Sequence, residues 1–164
     1  MTRGRKTPAA KRSGPKFLVG VDFSPESQAA VREARRLAAA SGSRITIAHV
    51  RPLADVRAAV VEERGDLLRE DAGTLKERLA SHYEKRLAAL TEEGERAILL
   101  RGKPALELCR EARRGYDVLA MGSRGRGGVL TALLGSTVAE ALTTAAVPIL
   151  VVPSRKARKA APGA

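Results

Sequence analysis

Five short apolar runs punctuate this chain, and the segments between them repeat apolar residues at helical spacing; that alternation restricts the fold more than any other feature. The runs are F-L-V-G-V-D (Phe17 to Asp22), R-I-T-I-A-H-V (Arg44 to Val50), R-A-I-L-L-R (Arg96 to Arg101), D-V-L-A-M (Asp117 to Met121) and P-I-L-V-V (Pro148 to Val152). Continuous apolar stretches of this length, several of them rich in β-branched residues, suit strands covered on both faces. Strands that alternate with helices join by right-handed crossovers into a parallel sheet with helices on both sides. The expectation is an α/β fold in three layers, whose ligands sit outside the C-terminal ends of the strands.

The intervening segments carry their own signals. Ser24 followed by Pro25 is a helix start, with a hydroxyl at the N-cap and proline at the first position. Val31, Ala34, Leu37 and Ala38 keep one face apolar, and Gly42 closes the helix. Leu75, Leu79, Tyr83, Leu87 and Leu90 predict a long amphipathic helix over about Asp66 to Glu92, with His82 beside the apolar face as surface. The stretch from Pro52 to Gly65 is ambiguous and compatible with a short helix over Ala54 to Glu63. Gly102 and Pro104 turn the third strand into a helix over Ala105 to Arg114, stopped at Gly115; a fourth helix is expected from about Ser136 to Ala145.

Length and charge narrow the organisation. A chain of 164 residues with 44% hydrophobic but only 2% aromatic residues builds one domain around an aliphatic core. The net charge of +12 suggests a nucleic-acid binder until it is located. Arg3, Arg5, Lys6, Lys11, Arg12 and Lys16 precede the first strand, and Arg155, Lys156, Arg158 and Lys159 follow the last, so two ends hold ten of the twelve charges. Residues 1–16 and 154–164 therefore read as disordered basic tails around a nearly neutral domain over residues 17–153. A sharper reading of the tails is weak, non-specific contact with polyanions such as RNA or DNA. With almost no aromatics, a base-stacking platform is not expected.

The basic start is not followed by an apolar leader core, and no run of about 18 apolar residues occurs, so the expectation is a cytoplasmic protein that does not use a membrane. The single cysteine, Cys109, excludes an internal disulfide and sits in a helical pattern as a small core residue. His49 and His82 stand apart from it and form no zinc-like cluster.

One stretch carries chemistry. From Val118 to Val138 an apolar run enters a loop with four glycines in seven residues, then restarts as a helix at Gly135, Ser136 and Thr137. Glycines tolerate positive φ and let backbone N–H groups approach an anion; a helix start adds unpaired N–H groups, the positive end of the dipole and two hydroxyls. Gly122 and Gly125 are expected to shape the turn leaving the strand. The stretch is not a Walker A loop, which needs Gly-Lys followed by Ser or Thr, nor a G-x-G-x-x-G fingerprint, whose third glycine is replaced by Leu130.

The spacing resembles the nucleotide-binding members of the universal stress protein family: G-x-x-G at Gly122 and Gly125, nine residues from Arg126 to Leu134, then Gly135 and Ser136. F-L-V-G-V-D-F-S-P, I-A-H-V, R-G-K-P-A, D-V-L-A-M-G-S-R-G-R-G-G and V-P-I-L-V-V are similar to the family's recurrent segments, in order, over residues 17–153. The resemblance implies a Rossmann-like, five-stranded sheet of order 3-2-1-4-5, of the adenine nucleotide alpha-hydrolase-like kind. It also implies a homodimer made by the last strand, Pro148 to Val152.

By the same resemblance Asp22 accepts a hydrogen bond from the ribose or adenine region, although an acid before Ser24 is also an ordinary cap. Val50 meets adenine through its backbone, and Gly122, Gly125, Gly135, Ser136 and Thr137 hold phosphates. Arg124 and Arg126 add charge beside the cradle as weaker candidates, and Lys103 is weaker still. The implied ligand is ATP, with AMP or ADP as the other candidates, carried with magnesium. Phosphoryl transfer needs metal carboxylates and a positioned base, and near the loop the sequence offers only Asp22. Two functions follow: an ATP-binding, nucleotide-dependent stress-response regulator, or an ATP-using enzyme, a slow hydrolase or an adenylating enzyme.

Overall fold

The computed structural model describes residues 14–51, 72–125 and 134–153. In chain order its elements are β1 (Lys16–Val21), α1 (Pro25–Ser41), β2 (Arg44–Arg51), α2 (Ala72–Leu90), β3 (Arg96–Arg101), α3 (Pro104–Ala112), β4 (Val118–Gly122), α4 (Ser136–Thr144) and β5 (Ile149–Val152). The ambiguous stretch from Pro52 to Gly65, and the start expected for the long helix at Asp66, lie outside the described residues.

All five strands pair in parallel, in the order β3-β2-β1-β4-β5, as the resemblance implied. Alternation along the strands feeds two separate cores. Phe17, Val19 and Val21 of β1, with Ile45 and Ile47 of β2, bury against Ala30, Val31, Ala34 and Ala38 of α1 and Leu87 of α2. On the opposite face Leu18, Ala48, Val50, Leu119 and Met121 meet Ala105, Leu108, Cys109 and Ala112 of α3 and Val138 and Ala141 of α4. Helices α1 and α2 thus share one face and α3 and α4 the other, completing three layers. Side chains such as Leu18, Ile47 and Leu119, with no exposure, stabilise the fold by about 1.5–3 kcal/mol each.

The local signals set the element ends. Ser24 caps α1, its hydroxyl accepting the Ser27 N–H at 3.2 Å, and Gly42 ends the helix at φ 66. Cys109 is buried, and desolvation pushes its thiol pKa up, as suits a core residue. Helix α3 stops at Ala112, before the expected Arg114, and the chain turns through Gly115 at φ 104. Strand β4 begins one residue later than expected. Asp117 instead fastens the start of β1: its carboxylate accepts the Lys16 N–H at 2.8 Å and its own N–H donates to the Lys16 carbonyl at 2.9 Å.

Candidate functional site

Strand β1 is flanked by β2 and β4, whose connecting helices run over opposite faces, so the strand order reverses beside it and a crevice opens at the C-terminal ends. A cavity of about 540 Å³ lies there. Val21 and Asp22 come from the end of β1, His49 and Val50 from β2, and Met121, Gly122, Arg124 and Gly125 from β4 and the turn after it. Gly20 of β1, Ser27 of α1, Pro104 and Leu108 of α3 and the residues from Leu134 to Val138 complete the described lining. Asp22, Val50, Gly122, Arg124, Gly125, Gly135, Ser136 and Thr137, all singled out in the sequence, therefore share one cavity. Arg126 lies outside the described residues, and Lys103, the N-cap of α3, is absent from the lining although Pro104 beside it is present.

The lining is chemically two-sided. Val50, Pro104, Leu108 and Met121 offer an apolar surface for a flat, uncharged group. The start of α4 offers the opposite: Gly135 is the N-cap and has no side chain to accept a hydrogen bond, and the N–H groups of Ser136, Thr137 and Val138 lack intrahelical acceptors. Arg124 adds a cation beside this positive helix end. The combination suits a ligand with an apolar ring at one end and an anion at the other.

The glycines achieve this differently from expectation. Among described glycines, positive φ occurs at Gly42, Gly94, Gly102 and Gly115, not at Gly122, Gly125 or Gly135. What Gly122 and Gly125 provide is close approach. A Cβ on Gly122 would stand 2.6 Å from the Glu26 carbonyl carbon, and one on Gly125 would stand 2.6 Å from Asp22 Oδ2. The Gly135 N–H donates to the Ser123 carbonyl at 2.9 Å, tying the start of α4 to the end of β4 rather than serving a ligand.

Asp22 combines the two roles weighed for it. Its Oδ1 accepts the Ser24 N–H at 3.1 Å and the Ser24 hydroxyl at 2.5 Å, a capping turn, while the residue also lines the cavity. Between them Phe23 takes φ 63, which costs an L-residue about 1–2 kcal/mol. Sequence reasoning set His49 aside as a metal ligand and did not place it at the site. It is buried, lines the cavity and donates from Nδ1 to the Val21 carbonyl at 2.7 Å. Its position beside Val50 at the end of an apolar strand was the available signal. Asp22 is the sole carboxylate in the described lining, and the described residues hold no group of three or more His, Cys, Asp or Glu side chains suited to a metal ion. No described helix is long and apolar enough to cross a membrane.

Residues 15–153 match the model of the universal stress protein family. A Thermus aquaticus protein, the universal stress protein in the QAH/OAS sulfhydrylase 3′ region, is 31% identical over 141 residues, covering 83% of this chain and 96% of its own. Among solved structures, hypothetical protein MJ0577 matches with a TM-score of 0.70 at 22% identity over 86% of this chain and 96% of that one. UspA from Lactobacillus plantarum matches at 0.62 and 18% identity, over 84% and 97% of the two chains. A universal stress protein in complex with cAMP matches at 0.55 and 24% identity, over 87% and 98%. The structural likenesses speak to the fold, and the matched span and the Thermus relative speak to kinship: the chain belongs to the universal stress protein family.

Proposed function

We propose that this chain binds ATP in the cavity at the ends of β1, β2 and β4, and acts as a nucleotide-dependent stress-response regulator in the cytoplasm. The observation that carries the reading is the convergence of Asp22, Val50, Arg124, Gly125, Ser136 and Thr137 on one cavity with an apolar side and a helix N-terminus. In this reading the adenine lies against Val50 and Leu108, the ribose reaches Asp22, and the phosphates sit on the first turn of α4 beside Gly125. The family member in complex with cAMP supports an adenine nucleotide as the ligand class. ADP or AMP would use the same apolar side with fewer anionic contacts. Magnesium would be held chiefly by the phosphates, since Asp22 is the sole carboxylate of the described lining and its Oδ1 already accepts from Ser24. The same shortage of carboxylates favours a binding protein over a hydrolase or adenylating enzyme.

Calorimetry with ATP tests the reading on the wild-type chain and on Ser136→Glu. An acid in the first turn of a helix complements its dipole, so the variant should fold, while its charge occupies the phosphate position. ATP affinity should fall at least about tenfold. Equal affinity in the two folded proteins would overturn the assignment.

A further inference from the structure

His49 sits one residue before Val50 on β2, and the alternation of the strand sends its side chain to the α1 and α2 face. It is 7% exposed, and its Nδ1 lies 2.7 Å from the carbonyl oxygen of Val21. A carbonyl oxygen only accepts, so the imidazole carries a proton on Nδ1 and donates it there. Val21 is the last residue of β1, so this bond grips the chain where it leaves the sheet, directly before Asp22.

The next two residues depend on that grip. Phe23 holds φ 63, a conformation rare for a bulky side chain, and its ring is held from several sides. Its centroid is 4.7 Å from the His49 ring and 6.2 Å from that of Tyr83 on α2, and the Arg86 guanidinium carbon stands 4.0 Å from it. His49 and Tyr83 are themselves 4.6 Å apart. The direction of the Asp22 carboxylate follows from this turn. One oxygen accepts from Ser24, and the other reaches to within 2.6 Å of the place a Gly125 side chain would take.

We propose that His49 is a positioning residue for the nucleotide site, holding the Asp22 to Ser24 turn through its Nδ1–H bond to Val21 and its contact with Phe23. The inference rests on the nucleotide-binding reading of the cavity. It gives His49 a task that acts through Asp22, distinct from the packing that Val50 provides on the other face. It also makes Tyr83 and Arg86 of α2 outer supports of the same turn.

The test compares His49→Asn with His49→Gln, each alone and combined with Asp22→Ala, by ATP calorimetry on proteins whose folding is checked by circular dichroism. The Asn amide nitrogen can stand where Nδ1 stood and keep the bond to Val21, whereas the longer Gln amide reaches the Nε2 position and loses it. His49→Gln should weaken ATP binding about tenfold while His49→Asn stays within about threefold of wild type. In the Asp22→Ala background the two should be equal, because neighbours acting through one group are not additive. A purely structural histidine predicts the opposite order, since Gln better fills the space. Equal affinities of the single variants, Gln above Asn, or a difference that survives Asp22→Ala would each overturn the inference. Failure of the wild-type chain to bind ATP would overturn the nucleotide reading itself, and this inference with it.

Discussion

Gly122 ends β4 against the backbone of α1, where a Cβ would lie 2.6 Å from the Glu26 carbonyl carbon and 2.8 Å from the Ser27 nitrogen. Backbone cannot swing aside as a side chain can, so Gly122→Ala should lose about 1–3 kcal/mol of stability, read as a lower denaturation midpoint in urea. Gly125→Ala differs, because its Cβ would meet the Asp22 carboxylate, the far end of a side chain. That variant should keep near-native stability yet bind ATP more weakly, by calorimetry, and the reverse pairing of effects would contradict this division of labour. The positions of these glycines were legible in the sequence, but their physical reason was not. Glycine was expected there for positive φ and for close approach to an anion, whereas the described requirement is close approach to α1 and Asp22, which meet the loop only in three dimensions. His49 was hidden for a related reason: its partners, Val21 and Phe23 at and just after the end of β1 and Tyr83 on α2, are far from it in sequence.

At the scale of elements, the starts of α1 and α4 were the most readable features, because a cap such as Ser24 with Pro25 is chemistry between near neighbours. The ends were read less well. Helix α3 closes at Ala112 where the Tyr116 N–H turns back to the Ala112 carbonyl. Helix α1 is tied to the turn after α2 by a contact that periodicity does not announce: Arg35 of α1 bonds Glu95 at 2.8 Å and pairs with Glu92 at 2.9 Å. Burial pushes the Glu95 carboxyl upward, but the hydrogen bonds from Arg35 and the Glu92 N–H, with the Arg35 charge, outweigh it and hold the group below its ordinary value of 4.5. A depressed folded value stabilises the protein fully above the unfolded value, and that contribution is lost as pH falls through the folded one. Glu95→Gln should therefore lower Tm by a constant amount near neutral pH, and the gap to wild type should close on acidification below about pH 4.5. A gap unchanged down to pH 3 would contradict the pairing.

For the whole molecule, alternating strands and helices announced the sandwich, while the strand order came from the likeness of segments rather than from any physical signal in one chain. That order leaves β5 at the edge, with Leu150 and Val152 half-buried. We propose that a second copy pairs there, Pro148 and Pro153 limiting the ladder to the residues between them. Leu150→Lys with Val152→Lys should give monomers in light scattering that still bind ATP, because the described cavity lining belongs to a single chain. A wild-type protein that is monomeric at micromolar concentration would refute the dimer.

At the same scale the net positive charge is concentrated toward the two ends of the sequence. Lys16 belongs to β1, so removing residues 1–13 and 154–164 leaves every described element intact and takes away nine positive charges. The trimmed chain should lose salt-sensitive binding to RNA or DNA and keep its ATP affinity; polyanion binding unchanged at low salt would clear the two ends of that role. The central claim, a nucleotide seated between Val50 and the start of α4, is tested most directly by native mass spectrometry of the purified full-length chain after incubation with ATP and magnesium, alongside Ser136→Glu. A wild-type mass raised by one ATP per chain, and a folded variant without it, is the predicted result. A wild-type chain that carries no nucleotide, or a variant that carries it equally, would contradict the account.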